Sequence, residues 1–334
     1  MTRFTIAVLS LLLCGCATRL ARQTPPQWVL APGAVYSSDR YLTAVGEGDT
    51  LGAAETHALS RMAGRFETRV QSSQQLSDQV AETFGQKHEF ERQSDYQSSI
   101  HLQTDQTLLN TKTARQFQDA TGRVYVLVVL DRLETAQIYE QTIAENAQRI
   151  ASLMNADPSK LVAYAKAQRA LELGLNNQML IAQLAIIHPI GSHRIGLPYK
   201  LEQLRQRLAQ AIAAVRFHVS LVGDRSEPLE QQIRALMTAR GFTAHWICDL
   251  CITGTLSIGS MNFLRQDIRT VRYRVLVNMK GEDGHTLLAM QKEGRESHIT
   301  EQEAYRRAER TVHQLVEKEL LGRLDILVEN LAGK

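Results

Sequence analysis

The sequence predicts an α+β fold in which two small sheet-plus-helix domains are joined by a helical middle segment. Its 334 residues are 44% hydrophobic and 22% charged, which is a globular composition, and the length suits two domains of roughly 100–200 residues each. Near both ends of the chain, apolar and polar residues alternate as they do in half-buried strands. Between residues 133 and 214 the apolar residues recur at helical spacing instead, which separates the two domains.

The first residues are typical of a secretory signal. Arg3 precedes an apolar run that ends at Leu13, and about ten apolar residues are too few for a membrane span, which needs roughly 20. The run leads into Leu-Cys-Gly-Cys16, which resembles a bacterial lipobox. In a lipobox the cysteine thiol takes a diacylglyceryl group, cleavage occurs before the cysteine, and the new amine receives a further acyl chain such as palmitate. We predict a signal peptide over residues 1–15 and lipidation of Cys16; an ordinary cleaved signal with a chance cysteine is the alternative.

The residues after Cys16 predict where the protein is held. Ala17 stands where an aspartate commonly retains lipoproteins in the inner membrane, so resemblance to that sorting rule predicts lipid anchoring in the outer membrane, facing the periplasm. Several acyl chains on one cysteine give stable anchoring, because each buried CH₂ contributes about 0.8 kcal/mol. We interpret residues 16–27 as a lipidated tether, which Pro25 and Pro26 stiffen and which reaches at most about 35–40 Å.

Residues 28–132 are predicted to form the first α+β domain. A strand from Tyr41 to Gly48 ends in glycines and leads into a helix that Asp49 or Thr50 can cap. The predicted apolar face of this helix consists of Leu51, Ala54, Ala58 and Met62.

The same domain is predicted to contain a hairpin with arms at 111–118 and 124–130. The second arm is apolar almost throughout, which predicts that it is buried on both faces or lies at the centre of a sheet. Before the hairpin, residues 71–106 are rich in Gln and Ser, and we predict a long helix or an extended ribbon there.

Residues 133–214 are predicted to be helical, with one helix starting at Pro158 and another at Pro198. Residues 215–334 are predicted to form the second α+β domain, in which helices cover one face of a sheet. Its predicted strands are 217–222, 242–247, 252–258, 271–279 and 286–290, and its first predicted helix is 228–240. A capping box from Thr300 to Glu303 is predicted to open the closing helix.

Cys248 and Cys251 form a C-x-x-C pair, which in an oxidising compartment is either a structural disulfide or a redox pair. Trp246 stands near them, much as an aromatic residue precedes thioredoxin-type cysteines. Those redox cysteines lie at a helix N-terminus, which lowers the pKa of the attacking thiol, whereas this pair falls between two strand patterns. We therefore favour a structural disulfide. A zinc site would need two more ligands, and His245 is the only near candidate.

The other motifs predict no catalytic residue, cofactor or metal. The glycines from Gly46 to Gly52 resemble a dinucleotide loop, but the third comes one residue late, so a strand-to-helix turn is favoured. His188 and His193 lack ligand spacing. A group of arginines suits either a solvated strand face or contact with anionic glycans or lipid head groups: Arg265, Arg269, Arg272 and Arg274. The net charge of only +3 disfavours nucleic acid as a partner.

Four stretches resemble the Lpp-twenty family of bacterial outer-membrane lipoproteins: Pro26-Gln-Trp28-Val, the segment from Tyr41 to Gly48, the alanine-spaced helix that follows it, and the segment from Gly122 to Arg132. The resemblance covers about residues 26–135. The same pattern is similar to the N-terminal domain of the flagellar H-ring assembly protein T, and the last 120 residues or so are loosely similar to periplasmic domains of that protein and of curli-type secretion lipoproteins. These families imply structural or assembly roles and no catalytic residues.

The leading hypothesis is a non-enzymatic outer-membrane lipoprotein that acts as a periplasmic scaffold or assembly factor for an envelope machine of flagellar, pilus or secretion type. Its partners would be the membrane, through the lipid anchor, and envelope proteins, and a homo-oligomer is also open. The runner-up is a periplasmic regulator of peptidoglycan synthesis, which the tether and the arginine-bearing strand favour. The third is a thiol–disulfide enzyme that uses Cys248 and Cys251, for which a reduction potential well below about −300 mV would indicate a structural bridge instead.

We predict that Cys16→Ser abolishes acylation and releases the protein from membranes, because only a cysteine thiol at that position can take the diacylglyceryl group. The measurement is incorporation of labelled palmitate together with the distribution of the protein between membrane and soluble fractions. Cys14→Ser is the matched control and should leave both unchanged. A Cys16→Ser protein that remained acylated and membrane-bound would contradict the predicted anchor.

Overall fold

The computed structural model describes residues 24–64, 110–155, 157–261 and 268–333. The predicted signal peptide, Cys16 and most of its tether lie outside the described residues, as does the stretch 71–106. The chain divides into two compact units, each with its own sheet, and this mixture of helices and sheets confirms the predicted α+β class.

The N-terminal unit comprises Met1–Glu140 and Leu180–Ile195, and the C-terminal unit comprises Gln141–Met179 and Gly196–Lys334. The helical segment predicted at 133–214 is therefore divided between them. The described residues form helices α1 (Gln27–Leu30), α2 (51–64), α3 (Arg132–Leu153), α4 (Lys160–Ile187), α5 (Pro189–Ser192), α6 (Leu201–Ala214), α7 (Glu227–Ala239) and α8 (Glu301–Leu331). They form strands β1 (Tyr41–Gly48), β2 (Thr111–Gln118), β3 (Val124–Asp131), β4 (Arg216–Val222), β5 (Thr243–Ala244), β6 (Leu250–Met261), β7 (Arg269–Gly281) and β8 (Thr286–His298).

The N-terminal unit is built around β3, the middle strand of an antiparallel sheet with the order β1-β3-β2. The run from Val126 to Leu130 is buried, so successive residues are buried on opposite faces of the sheet. Trp28 of α1 packs on Leu127 and Val129 at one of these faces. The predicted hairpin and the predicted central strand are both confirmed.

Helix α2 approaches β1 closely because Gly46 has no side chain. A Cβ atom at Gly46 would lie 2.1 Å from the carbonyl oxygen of Ala54 and 2.2 Å from the backbone nitrogen of Ala58. Contacts this short cannot be relieved by moving a flexible side chain, since both atoms belong to the backbone of the helix. The glycines thus serve the strand-to-helix turn that the sequence favoured over a dinucleotide loop.

The start of α2 is capped by Thr50, whose Oγ1 accepts a hydrogen bond from the Ala53 N–H at 3.2 Å. Three of the four predicted face residues are fully buried: Ala54, Ala58 and Met62. The fourth, Leu51, is 47% exposed. Its predicted place with the three buried residues is wrong, since at the first position of the helix its side chain is left half in solvent.

The predicted helix starts at Pro158 and Pro198 are wrong by two and three residues. In both cases the proline lies in the turn that precedes the helix. At the first site the Asp157 Oδ1 accepts a hydrogen bond from the Ser159 N–H at 3.0 Å, which stabilises a local turn before α4 begins.

Helix α4 is the one helix, among the described residues, with the length and apolarity to cross a membrane, and 44% of its apolar window is buried inside the protein. In the C-terminal unit its residues Leu161, Tyr164 and Ala165 belong to the core. Its Asn177 is fully buried, and Oδ1 of that residue accepts a hydrogen bond from Asn146 Nδ2 of α3 at 2.9 Å. Buried polar contacts of this kind are typical of a core helix in a folded domain.

The C-terminal unit contains a mixed sheet with the order β5-β4-β6-β7-β8. Strand β4 runs parallel to β5 and β6, and the remaining pairs are antiparallel. Helices α7 and α8 join the core on one face of the sheet, where they meet alternate residues of β7: Val271, Tyr273, Val275, Val277 and Met279. Of the intervening residues, Arg272 and Arg274 are exposed on the opposite face and Leu276 and Asn278 are half-buried, which confirms the predicted alternation.

Two predictions in this unit are wrong. The strand predicted at 242–247 is reduced to Thr243–Ala244, because the chain then turns outward into a loop. The predicted capping box does not form: Thr300 is the N-cap of α8, but its side chain makes no capping hydrogen bond. Instead the Thr300 N–H donates to His298 Nδ1 at 3.2 Å.

We predict that Gly46→Ala destabilises the N-terminal unit by about 2 kcal/mol or more, since the added methyl group must displace helix backbone. Gly52→Ala is the control, because a Cβ there meets nothing within 4 Å and alanine favours the helix by about 0.5–1 kcal/mol. Urea unfolding followed by the fluorescence of buried Trp28, in a Trp246→Phe background, measures both. Equal stability of Gly46→Ala and the parent would contradict the close approach of α2.

Candidate functional site

The candidate site is the loop that leaves the sheet after β5 and returns at the start of β6, residues 245–251, which we call the Trp246 loop. Both ends of the loop are hydrogen bonded to the beginning of β4. The His245 N–H donates to the Phe217 carbonyl at 2.9 Å, and the Asp249 N–H donates to the Arg216 carbonyl at 2.8 Å. The loop is therefore held to the sheet on both sides of its tip.

The tip of the loop presents apolar side chains to solvent. Trp246 is 76% exposed and Ile247 is 44% exposed. The indole ring is stacked on the imidazole of His245, with ring centroids 5.8 Å apart. His245 Nδ1 in turn accepts a hydrogen bond from the Ile247 N–H at 3.0 Å, so the tip is ordered by its own contacts.

Cys248 and Cys251 are joined by a disulfide, with their Cα atoms 5.4 Å apart. Cys248 lies just before β6 and Cys251 is the second residue of that strand, so the bridge closes the loop where the chain enters β6. No helix begins at either cysteine, so no helix dipole is available to lower the pKa of an attacking thiol as it does in redox-active pairs. This location supports the structural disulfide that we favour from the sequence.

Asp249 lies between the two cysteines and is the most buried charged group of the loop, with its side chain 4% exposed. Its carboxylate accepts hydrogen bonds from Lys160 Nζ at 3.2 Å and from the Arg216 guanidinium at 3.1 and 3.3 Å. The backbone N–H of Arg216 donates to the same carboxylate at 2.7 Å. One side chain thus joins the start of α4, the start of β4 and the start of β6.

The charge of Asp249 is set by these neighbours. Burial alone would raise the pKa of the carboxyl, but the hydrogen bonds from Arg216 and Lys160 outweigh burial and lower the pKa below its usual range. In the unfolded chain the carboxyl regains an ordinary pKa of about 3.9. The stabilisation is therefore complete above that pH and is lost as the pH falls through the lower pKa of the folded state.

Of the four arginines predicted as a group, two share one carboxylate in the structure. Arg272 and Arg274 both donate to Oε2 of Glu293, at 3.0 and 3.2 Å, and these bonds lower the pKa of Glu293. Arg272 also lies directly opposite Arg295 in the β7–β8 ladder. Arg269 is exposed at the start of β7, and Arg265 lies outside the described residues. The open face of the sheet therefore carries a local excess of positive charge around one carboxylate.

The predicted histidines are not brought together with ligands or catalytic partners. Within the stretches that the structure describes, no group of His, Cys, Asp or Glu side chains could hold a metal ion. His188 Nδ1 is buried without a hydrogen-bond partner among those residues, and it packs so closely on Gly191 that a Cβ there would lie 2.1 Å away. His193 is exposed.

Comparison with known proteins identifies the N-terminal part of the chain. Residues 26–131 match a family model described as LPP20 lipoprotein, which confirms the Lpp-twenty resemblance predicted for this part. The match is limited to this part of the chain, and what it supports is a lipoprotein of unknown role. No curated protein matches the chain.

Two solved structures are similar to the chain at low identity. The secreted protein HP1454 from Helicobacter pylori has a TM-score of 0.42 and 12% identity, over 75% of this chain and 85% of that one. A minor lipoprotein from Acinetobacter baumannii has a TM-score of 0.22 and 13% identity, over 35% of this chain and 84% of that one. Neither likeness carries an argument about function, and the similarity of the C-terminal unit to the flagellar H-ring protein stays a prediction.

Sequence reasoning found the cysteine pair but missed the role of the residue between them. An aspartate between two cysteines gives no local sign that it is buried, because its cations stand 89 and 33 positions away along the chain. The exposure of Trp246 was also missed, since a strand pattern placed it in the sheet. The only signal for the loop was the short spacing of the cysteines.

We predict that Asp249→Asn destabilises the C-terminal unit by about 2 kcal/mol at pH 7, because it leaves Lys160 and Arg216 without their carboxylate. The two cations are partly exposed and regain some hydration, which keeps the cost below that of a fully buried pair. Amide hydrogen exchange of β6 measures the effect. The difference from the parent should shrink as the pH falls below about 4, and exposed Asp224→Asn should have no effect; an unchanged difference at low pH would contradict the assignment.

Proposed function

We propose that this lipoprotein is a non-enzymatic scaffold or assembly factor for an envelope machine of flagellar, pilus or secretion type, held in the outer membrane and facing the periplasm. The match to the LPP20 family supports membrane association through lipid. The lipobox at Cys16 supplies the anchor, and Ala17 supports outer-membrane sorting. Envelope proteins are the proposed partners, and the modest net charge disfavours nucleic acid.

The observation that carries this proposal is the Trp246 loop. Tryptophan is enriched at the energetic centres of protein interfaces, because it buries a large apolar area and has only two side-chain torsions to fix. The disulfide, the stacked His245 and the hydrogen bonds to β4 already hold the loop in one conformation. Binding through a preorganised loop loses little conformational entropy, so a small apolar tip can contribute useful affinity.

The structural disulfide is part of the same proposal. The bridge and the hydrogen bonds of Asp249 stabilise the loop where it returns to the sheet. This structural role explains the presence of both cysteines without any redox chemistry. A thiol–disulfide activity remains the alternative for this pair, and the reduction potential decides between them, with a value well below about −300 mV favouring the structural role.

A second candidate function is regulation of peptidoglycan synthesis. It is favoured by the positive excess on the open face of the C-terminal sheet, where Arg272 and Arg274 both bond to Glu293 and Arg295 lies opposite Arg272. Anionic polymers bind such faces in a salt-dependent way. Cosedimentation with purified sacculi tests it: retention that falls with salt and with Arg274→Gln supports it, and no retention removes it.

We predict that Trp246→Ala weakens capture of an envelope partner at least tenfold without destabilising the fold, because the indole is exposed and supports no core contact. A photo-crosslinking residue at position 247 of the natively lipidated protein, followed by mass spectrometry, measures capture. Ile326→Ala is the control, since Ile326 is a comparably exposed apolar residue of the same unit, at 58%.

The identity of the captured protein decides between the classes. A component of one envelope machine that is lost in Trp246→Ala supports the scaffold proposal. Crosslinks to a second copy of the chain alone would indicate a homo-oligomer. Crosslinks that are equal in Trp246→Ala and the parent would show that the loop is not the contact surface.

A further inference from the structure

The N-terminal unit offers a second, independent surface at the outer edge of β1. This strand is an edge strand, since the sheet order is β1-β3-β2. The Tyr41 N–H donates to the Ser37 carbonyl at 2.8 Å, and the Glu47 N–H donates to His57 Nδ1 at 3.3 Å. Both donors point away from β3, so the odd-numbered residues of β1 direct their backbone groups outward.

Thr43 and Val45 therefore present backbone N–H and carbonyl groups at this edge. Within the described residues, the Val45 carbonyl is the one of these four groups that has a partner, and that partner is Arg61 of α2, whose guanidinium donates to it at 2.8 Å. The Thr43 N–H, the Thr43 carbonyl and the Val45 N–H have no partner in the part of the chain that the structure describes. An edge with open groups is a template for one more strand.

The open edge lies in a groove of about 380 Å³. Its apolar lining comes from Val29, Leu30 and Pro32, and Leu30 is 81% exposed. Arg61 closes the other side and has no carboxylate partner among the described residues, although a guanidinium carries five N–H donors. The volume is at the small end for ligand sites, which suits the end of a peptide chain better than a folded domain.

The position of Arg61 selects which end of a peptide fits. A chain that ran parallel to β1 would exchange hydrogen bonds with Thr43 and would next need the Val45 carbonyl as an acceptor for its own N–H. Arg61 already donates to that carbonyl, and its guanidinium stands in the place of the next peptide N–H, which favours an end of the added strand at this point. A terminal carboxylate at this point accepts from the Val45 N–H and from the remaining guanidinium donors, which is a charge-assisted contact.

We propose that the groove between α1, β1 and α2 binds the free C-terminus of a partner protein, added in extended form alongside β1 with its last apolar side chain against Val29 and Leu30. Main-chain hydrogen bonds to Thr43 and Val45 join the added strand to β1, and the Arg61 guanidinium binds the terminal carboxylate. The site uses no part of the Trp246 loop, so either surface can fail a test without the other.

The test is fluorescence anisotropy of the full lipidated chain in detergent with N-terminally labelled hexapeptides. The peptides end in Ala, Val, Leu or Phe, and each is made as the free acid and as the C-terminal amide. We expect free acids with an apolar last residue to bind at least tenfold more tightly than their amides. Arg61→Gln should remove this preference, whereas Arg115→Gln, an exposed arginine on β2, and Trp246→Ala should keep it.

A second measurement locates the bound peptide. Hydrogen exchange at the Thr43 and Val45 amides should slow on addition of the free-acid peptide, because both N–H groups become donors in the added ladder. Free acids and amides that bind equally would overturn the proposal, as would the absence of any binding below 1 mM. Tight binding that survives Arg61→Gln, or that leaves these two amides unprotected, would overturn it as well.

Discussion

A buried carboxylate beside two cations joins the starts of three elements of the C-terminal unit, and Asp249 provides it. Removing a carboxylate from water is costly, so the charged form persists only because Lys160 and Arg216 supply donors to both of its oxygens. Those donors come from the first residues of α4 and β4, which places the starts of three elements around one group. Asp249 itself lies between the two cysteines that the disulfide joins.

The Trp246 loop follows from this arrangement. Asp249 and the disulfide fix the return of the chain to β6, and the two residues before the disulfide, Trp246 and Ile247, are exposed. The exposed Trp246 side chain therefore lies on a loop that a disulfide and hydrogen bonds hold to the sheet. The conformational entropy of the loop is lost when the protein folds, so little more of it is lost when a partner binds.

The N-terminal unit is organised by a different constraint, the burial of β3 on both faces. A strand that is buried on both faces needs neighbours on each side, and the sheet is completed by β1 and β2, which leaves β1 as an edge. Side chains of α2 cover part of this edge, since Arg61 and His57 bond to the backbone of Val45 and Glu47. Among the described residues these bonds stop short of Thr43, where the groove of α1, β1 and α2 begins.

The sequence by itself determined the class of fold, the central hairpin and the polar and apolar faces of β7, because these depend on local periodicity and on turn residues such as the glycines before α2. It also indicated the resemblance of residues 26–131 to the LPP20 model and predicts lipidation of Cys16, since a lipobox is a contiguous motif. Helix starts were less accurate, because a proline can occupy the turn before a helix as well as its first position, and Thr300 showed that a capping sequence need not cap when His298 competes for the backbone. Only the tertiary structure decided that Asp249 meets Lys160, that Trp246 points outward and that Arg61 ends the open edge of β1. Each of these depends on residues far apart in the chain, and the free energy of such contacts has no counterpart in the local pattern.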